Sequence, residues 1–340
     1  MRLVTYETGG NADSARAQRR AGILIDTTII DLERGFAWLE RMRGGEAQAI
    51  DQTLARGVLG FIEHADLARP RAEALVQALA KGDLPDEVQV TLARATLASP
   101  LPRPPSMRDG YAFRQHVETA RRNRGLEMIP EFDQFPVFYF TNHQAVIGPG
   151  ELRVRDKQLD RLDFELEAAI VIGKECRDVR AADADQFVFG MTIMNDWSAR
   201  ALQMDEMKLS LGPAKGKDFA TGLGPWLVTL DELAPHTKKT DRGNVYDLEM
   251  RAFVNGKQLS TGNVKDMTWT FGQIIERASY GVTLYPGDVI GSGTCGTGCF
   301  LELNGSKVTD NQWLRDGDHV ALEIDGLGRL ENKVVRSEPA

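Results

Sequence analysis

Leu162-Asp163-Phe164-Glu165-Leu166-Glu167-Ala168-Ala169-Ile170-Val171-Ile172-Gly173 begins with alternating acidic and apolar residues and ends in an unbroken apolar run. Side chains on a strand alternate faces, so Glu165 and Glu167 point one way and Phe164 and Leu166 the other. A solvent-washed edge would account for a bare Glu-x-Glu, but the apolar continuation reads as a strand buried on both faces. Two carboxylates about 6–7 Å apart on a half-buried face repel by about 2.5 kcal/mol at an effective dielectric near 20. A cation relieves that repulsion, and an all-oxygen ligand set suits Mg²⁺ or Ca²⁺.

Outward from this stretch the texture stays β-like. Residues 225–230 (PWLVTL), 248–259 (LEMRAFVNGKQL), 288–294 (DVIGSGT), 299–305 (CFLELNG) and 319–328 (HVALEIDGLG) all carry strand signals, with hairpin-turn chemistry at Asn255-Gly256 and Asp325-Gly326. Helix is expected in part of residues 181–203 and at 270–281. Upstream, residues 97–107 (LASPLPRPPSM) hold four prolines in eleven residues. Proline lacks an N–H and restricts its predecessor, so this stretch is a connector and the expected boundary. Residues 1–100 form a small α+β domain in this reading. It has strands at 2–7 and 22–32 around a polar, Gly-rich turn, then helices near Glu46–His64 and at 70–82, where Pro70 opens the second and Gly82 closes it. Residues 101–336 form a larger, mainly β domain with some α, so the fold class is α+β.

The composition suits an ordinary soluble protein with a sizeable core: 340 residues, 42% hydrophobic and 26% charged. A formal charge of −8 argues against a nucleic-acid binder, which usually carries a basic stripe. No apolar run approaches the roughly 18 residues of a membrane span, and no basic-then-apolar leader is visible at the start. Three cysteines, Cys176, Cys295 and Cys299, lack metal-site spacing and fit buried thiols in a reducing cytoplasm.

A third acid, Asp196, lies in Asn195-Asp196-Trp197-Ser198-Ala199-Arg200, with Gln203 beyond. A helix N-cap or first-turn acid is the plain account of Asp196, and Arg200 and Gln203 would then share one helical face. Residues 212–221 (GPAKGKDFAT) look faintly like a phosphate loop, but the spacing is one short and Lys217 precedes Asp218 instead of Ser or Thr. Five histidines form no His-x-x-x-His pair, and no Gly-x-Ser-x-Gly elbow occurs. His116, which follows Asp109-Gly110-Tyr111 and Gln115, is the histidine most worth weighing.

Taken in order, Asp-x-Tyr…Gln-His, Glu-x-Glu, Asn-Asp-Trp-Ser-Ala-Arg, Gly-Lys…Thr, Ser-Gly-Thr and Leu-Glu-Leu resemble the fumarylacetoacetate hydrolase family over roughly residues 104–336. The resemblance implies a mixed β-roll assembled as a homodimer. It implies divalent-metal ligands at Glu165, Glu167 and Asp196, with Asp109 as a fourth acid, and Mg²⁺ as the metal, with Mn²⁺ or Ca²⁺ as alternatives. It implies a catalytic His116 oriented by Glu302, oxyanion donors at Arg200, Gln203 and Lys217, and substrate contacts at Tyr111, Thr221 and Thr294. Arg121 and Arg124 are the candidates for holding a substrate carboxylate. Met207 stands where the enzyme that cleaves fumarylacetoacetate carries tyrosine, which touches substrate choice and not the metal site. The expected activity is hydrolysis of a C–C bond in a small anionic 1,3-dioxo acid, in the breakdown of aromatic compounds. A metal-dependent lyase or isomerase acting on a 2-oxo acid stays open beside it, as does a non-catalytic cation-binding protein.

Overall fold

A computed structural model describes residues 1–8, 19–45 and 51–338. The Gly-rich turn read after the first strand and the first residues of the Glu46–His64 stretch lie outside the described residues. The fold is mainly β with helices packed around it. A twelve-stranded sheet has as its central path Gln89–Thr91, Thr28–Asp31, Arg20–Ile25, Arg2–Thr8, Thr221–Thr229, Val188–Asp196, Leu166–Ile172, Val289–Gly291, Met107–Gly110 and Phe138–Phe140. A second sheet of five strands runs Lys257–Asn263, Glu249–Val254, His319–Ile324, Gly328–Arg336 and Gly150–Val154. Arg2–Thr8 is hydrogen-bonded to Thr221–Thr229, so one sheet carries strands from both sides of the proline-rich connector.

The strand Leu166–Ile172 shows why its sequence is apolar without a break. Leu166, Ala168, Ile170 and Ile172 enter the core shared with the second sheet, beside Phe271, Ile274 and Leu322. Ala169 and Val171 enter the opposite core, against Leu3, Ile23, Phe36 and Phe61 of the N-terminal segment. Each leucine, isoleucine or valine buried this way is worth about 1.5–3 kcal/mol. At the start of the strand the same alternation sends Phe164 into the first core and leaves Glu165 and Glu167 on the other face.

Several local expectations change. Residues 300–305 form a helix, Phe300–Gly305, and not a strand. Phe300 and Leu303, three apart, are both buried, and the Asp163 carboxylate takes the otherwise free N–H groups of Phe300 and Leu301 at 2.7 and 3.0 Å. The partial helix expected within 181–203 falls at its two ends, as the 3-10 helix Ala181–Phe187 and the start of the α-helix Arg200–Met207, with the nine-residue strand Val188–Asp196 between them. Asp196 therefore ends a strand and does not cap a helix. The helix read as opening at Pro70 starts at Ala65 and runs to Lys81, with Pro70 inside it and Ala68, Ala72 and Leu75 buried beneath. A further helix, Leu32–Met42, follows the strand at Asp31, whose side chain caps it by accepting the Arg34 N–H. Among the described residues, no helix is long and apolar enough to cross a membrane.

Candidate active site

Four neighbouring strand ends of the large sheet bring together residues far apart in sequence. Asp196 ends Val188–Asp196, Glu167 sits near the start of Leu166–Ile172, Asp109 lies on Met107–Gly110 and Tyr139 on Phe138–Phe140. Between them runs Val289–Gly291, and the absence of a side chain at Gly291 is what admits the acids. A Cβ there would stand 2.5 Å from Asp109 Oδ1 and 3.0 Å from Glu167 Oε2. Asp109, Glu165, Glu167 and Asp196 each place a carboxylate oxygen within 4.8 Å of the others, and all four are buried. Full charges at that separation repel by about 3.5 kcal/mol per pair at an effective dielectric of 20.

Cations answer only part of this charge. Lys217 Nζ donates to Glu165 Oε2 at 2.5 Å and to Asp196 Oδ2 at 2.6 Å. Arg200 donates from Nη2 to Glu165 Oε1 at 2.7 Å, from Nε to Asp163 Oδ2 at 2.9 Å and from Nη1 to Gln203 Oε1 at 3.0 Å. Thr294 Oγ1 donates to Glu167 Oε1 at 3.2 Å, and the Gly293 N–H donates to Asp109 Oδ1 at 3.1 Å. Glu167 Oε2 and Asp196 Oδ1 remain buried without any donor. Native interiors rarely leave acceptors in that state. Two bare carboxylate oxygens inside an all-oxygen cluster fit a hard divalent cation, with Asp109, Glu165, Glu167 and Asp196 as the side chains to hold it.

The proton affinities follow the same imbalance. Burial, reinforced by Asp196, pushes the Asp109 carboxyl up to about 8. Burial and the neighbouring Asp109 drive Glu167 well above the usual carboxylate range. Asp196 is raised by burial against the pull of Lys217. Glu165 goes the other way, because Lys217 and Arg200 outweigh its burial and hold it low. Burial would also strip Lys217 of its proton, but the Asp196 and Glu165 carboxylates raise its pKa instead.

Across a cavity of about 460 Å³ from these acids stands His116, on the helix Arg114–Arg122. Its Nδ1 lies 2.6 Å from Glu302 Oε2, and the Tyr111 ring meets the imidazole edge-on at 5.9 Å. Gln203, Thr294, Tyr111 and Arg124 line the same cavity. Asp196 and Glu302 stand one contact behind its lining, on Lys217 and His116, and two further expected residues point elsewhere. Arg121 turns its guanidinium to the Glu127 carbonyl, and Thr221 lies behind the wall with its hydroxyl 3.4 Å from that of Thr141.

Three residues that the sequence reading passed over support the site. Tyr139 donates its hydroxyl to Asp196 Oδ2 at 2.5 Å. Asp163 ties Arg200 to the helix that carries Glu302, as described above. Glu206 accepts the backbone N–H groups of Ala214, Lys215 and Gly216 at 2.8, 2.6 and 3.1 Å, which sets the turn that presents Lys217. Successive N–H groups of this kind form an anion cradle. The faint likeness of residues 212–221 to a phosphate loop thus has a physical basis, and the anion in the cradle is the protein's own glutamate. Alternation flags none of the three, because each acts through a tertiary contact.

The family model described as fumarylacetoacetate hydrolase, C-terminal, matches residues 106–335. The mitochondrial oxaloacetate tautomerase Fahd2a of Rattus norvegicus is 30% identical over 320 residues, covering 92% of this chain and 91% of its own. The fumarylacetoacetase of Oryza sativa subsp. japonica is 32% identical over 268 residues, and the match spans 62% of each protein. Among solved structures, a putative HpcE protein from Mycobacterium smegmatis superposes with a TM-score of 0.69 at 23% identity, over 99% of this chain and all (100%) of that one. The chain is a member of the fumarylacetoacetate hydrolase family.

Proposed function

We propose that this protein is a metal-dependent hydrolase that cleaves a C–C bond of a small anionic 1,3-dioxo acid of the acylpyruvate type. The observation that carries the reading is His116, held 2.6 Å from Glu302 and lining the same cavity as Asp109, Glu165 and Glu167 of the four-carboxylate cluster. Asp109, Glu165, Glu167 and Asp196 would hold a hard divalent cation, which would supply Lewis-acid polarisation of the dioxo group. Glu302 fixes the His116 proton on Nδ1, which leaves Nε2 to take a proton from the attacking water and Glu302 to steady the imidazolium. Lys217 has three N–H donors and spends two on carboxylates, so one is left for the developing oxyanion. Gln203 gives its carbonyl oxygen to Arg200, which leaves its amide N–H groups for substrate. Arg124, on the cavity wall, is the cation for a substrate carboxylate.

A second reading is favoured by one finding: the rat protein named an oxaloacetate tautomerase matches 92% of this chain. In that reading the same imidazole moves a proton between carbon and oxygen of a 2-oxo acid, and no water is activated. Purified protein loaded with Mg²⁺ or Mn²⁺ is offered acylpyruvates and, separately, oxaloacetate, with acid products measured beside loss of enol absorbance. The hydrolase reading expects two carboxylic or oxo-acid products from each acylpyruvate. It expects His116→Ala to lower that rate by about 10²–10⁴-fold with metal content unchanged. Interconversion of oxaloacetate tautomers with acylpyruvates left intact would replace it with the second reading.

A further inference from the structure

Cys299 is a buried nucleophile beside His116 and Glu302 that the proposed chemistry does not use. It occupies the N-cap position of the helix Phe300–Gly305, in extended conformation, and Glu302 follows three residues later. The Cys299 side chain makes no capping hydrogen bond there. His116 arrives from its own helix, and one donor atom each of His116, Cys299 and Glu302 lies within 4.8 Å of the other two. We propose that Cys299, His116 and Glu302 form a second cation site, selective for a thiophilic divalent ion such as Zn²⁺, through which that ion switches the enzyme off.

The donor chemistry separates this site from the carboxylate cluster. Thiolate, imidazole and carboxylate are the ligands Zn²⁺ takes in its three-residue sites, with a fourth position left for water. Mg²⁺ and Ca²⁺ prefer oxygen alone, which is what Asp109, Glu165, Glu167 and Asp196 offer. One thiolate and one carboxylate match the charge of a divalent ion. Arg200 opposes a nearby cation, but its guanidinium is already held by Asp163 and Glu165 at 2.9 and 2.7 Å. Cys299 is fully covered, whereas His116 lines the cavity, so an ion arrives from the cavity side, where water fills the fourth position.

Binding rearranges protons in a defined way. The thiol proton of Cys299 leaves to solvent as the S–metal bond forms. His116 coordinates through Nδ1, the nitrogen that faces Glu302, and its single proton then resides on Nε2. An imidazole in that state donates from Nε2 and accepts nothing there, so it takes no proton from water. Inhibition, though not binding, rests on the reading of His116 as the base.

The test uses the full chain with excess Mg²⁺ to occupy the carboxylate cluster, and Zn²⁺ as the titrant. Activity is expected to fall with added Zn²⁺, to stay low as Mg²⁺ is raised further, and to return when a chelator removes the zinc. Cys299→Ala is expected to keep the Mg²⁺-dependent rate and to shift the inhibition curve by more than about 100-fold, since a direct ligand matters more than the outer partners that cost 10–100-fold. Co²⁺ gives a readout independent of turnover. Wild type should show thiolate-to-cobalt absorption in the near ultraviolet, and Cys299→Ala and the shape-conserving Cys299→Ser should lose it. Relief of inhibition by Mg²⁺, an unshifted curve in Cys299→Ala, or no thiolate band in wild type would each overturn the proposal. If the protein proves to cleave no acylpyruvate, the cobalt spectrum still decides whether the site exists.

Discussion

Asp31 and Asp196 are both completely buried aspartates, yet their surroundings treat them in opposite ways. Asp31 is saturated with donors. Its two oxygens receive the Tyr6 hydroxyl at 2.5 Å, the Arg34 N–H at 2.9 Å, Arg20 Nη2 at 2.8 Å and Arg20 Nε. Asp196 receives two donors on one oxygen, Lys217 and Tyr139, and none on the other. Burial would raise both acids; around Asp31 the Arg20, Arg34 and Tyr6 donors win and hold it low, while Asp196 stays raised. A structural carboxylate has every lone pair spoken for. One that awaits a cation keeps an oxygen bare and is destabilising until the cation arrives.

The largest effect that would break this contrast is a neutralising exchange at each kind of acid. Asp196→Asn and Glu167→Gln each remove a proposed metal ligand and should lower kcat by more than the 10–100-fold typical of outer partners. Thermal melting of chelated, metal-free Glu167→Gln should shift upward, because part of the carboxylate repulsion is gone and no buried cation loses its partner. Asp31→Asn should do the reverse. It leaves kcat near wild type, since Asp31 caps a helix away from the cavity, and costs about 1–3 kcal/mol by stranding buried donors. Melting and turnover measured on the same samples decide the matter; a metal-free Glu167→Gln that melts lower than wild type would show that the cluster is not starved.

A smaller effect should come from the satisfied acids that hold the site from behind. Asp163→Asn keeps the shape but presents an amide N–H₂ either to Arg200 or to the first N–H groups of the Glu302 helix. About 10–100-fold loss in activity is expected, in line with other outer partners of metal-site side chains. Glu206→Gln retains one acceptor for the turn before Lys217 and should lose less than Glu206→Ala. Equal rates for the Gln and Ala variants would remove Glu206 from the support of Lys217.

The same contrast explains what could be read in the sequence. Glu165 and Glu167 were legible because alternation on a strand is a local rule, and Leu166–Ile172 obeys it on both faces. Asp109, Asp196, His116 and Glu302 came forward only as an ordered set of motifs, since nothing local tells Asp196 at a strand end from an acid at a helix start. The helix at Phe300–Gly305 was misread as a strand because its cap is Asp163, 137 residues away. Tyr139 and Glu206 were invisible for the same reason: a tyrosine on a three-residue edge strand and a glutamate in a polar helix carry no pattern of their own. The shared sheet between the N-terminal strands and Thr221–Thr229 likewise depends on pairing across more than 200 residues, such as Leu3 with Leu227.

The smallest expected effect is also the one with two opposite signs in a single molecule. A carboxyl whose pKa is lowered by folding stabilises the protein above its unfolded pKa, near 3.9 for Asp, and loses that contribution as pH falls through the lower folded value. Asp31 is of this kind, so the stability difference between wild type and Asp31→Asn should be constant from neutral pH to about 5 and shrink below 4. A carboxyl whose pKa is raised penalises folding at high pH, and the penalty fades as pH falls from its folded value toward its unfolded one. Asp109, at about 8, and the raised Glu167 and Asp196 are of this second kind. Metal-free wild type should therefore gain stability as pH is lowered from about 8 toward 5, and then lose it in the more acid range where Asp31 and its like take up protons. Saturating Mg²⁺ should flatten the upper limb, because a bound cation keeps those carboxylates ionised in the folded state. Urea unfolding across this range, with chelator and with Mg²⁺, reads both limbs directly. An upper limb that is flat without metal would mean that Asp109, Glu167 and Asp196 are as well provided with donors as Asp31, and that the cluster needs no cation.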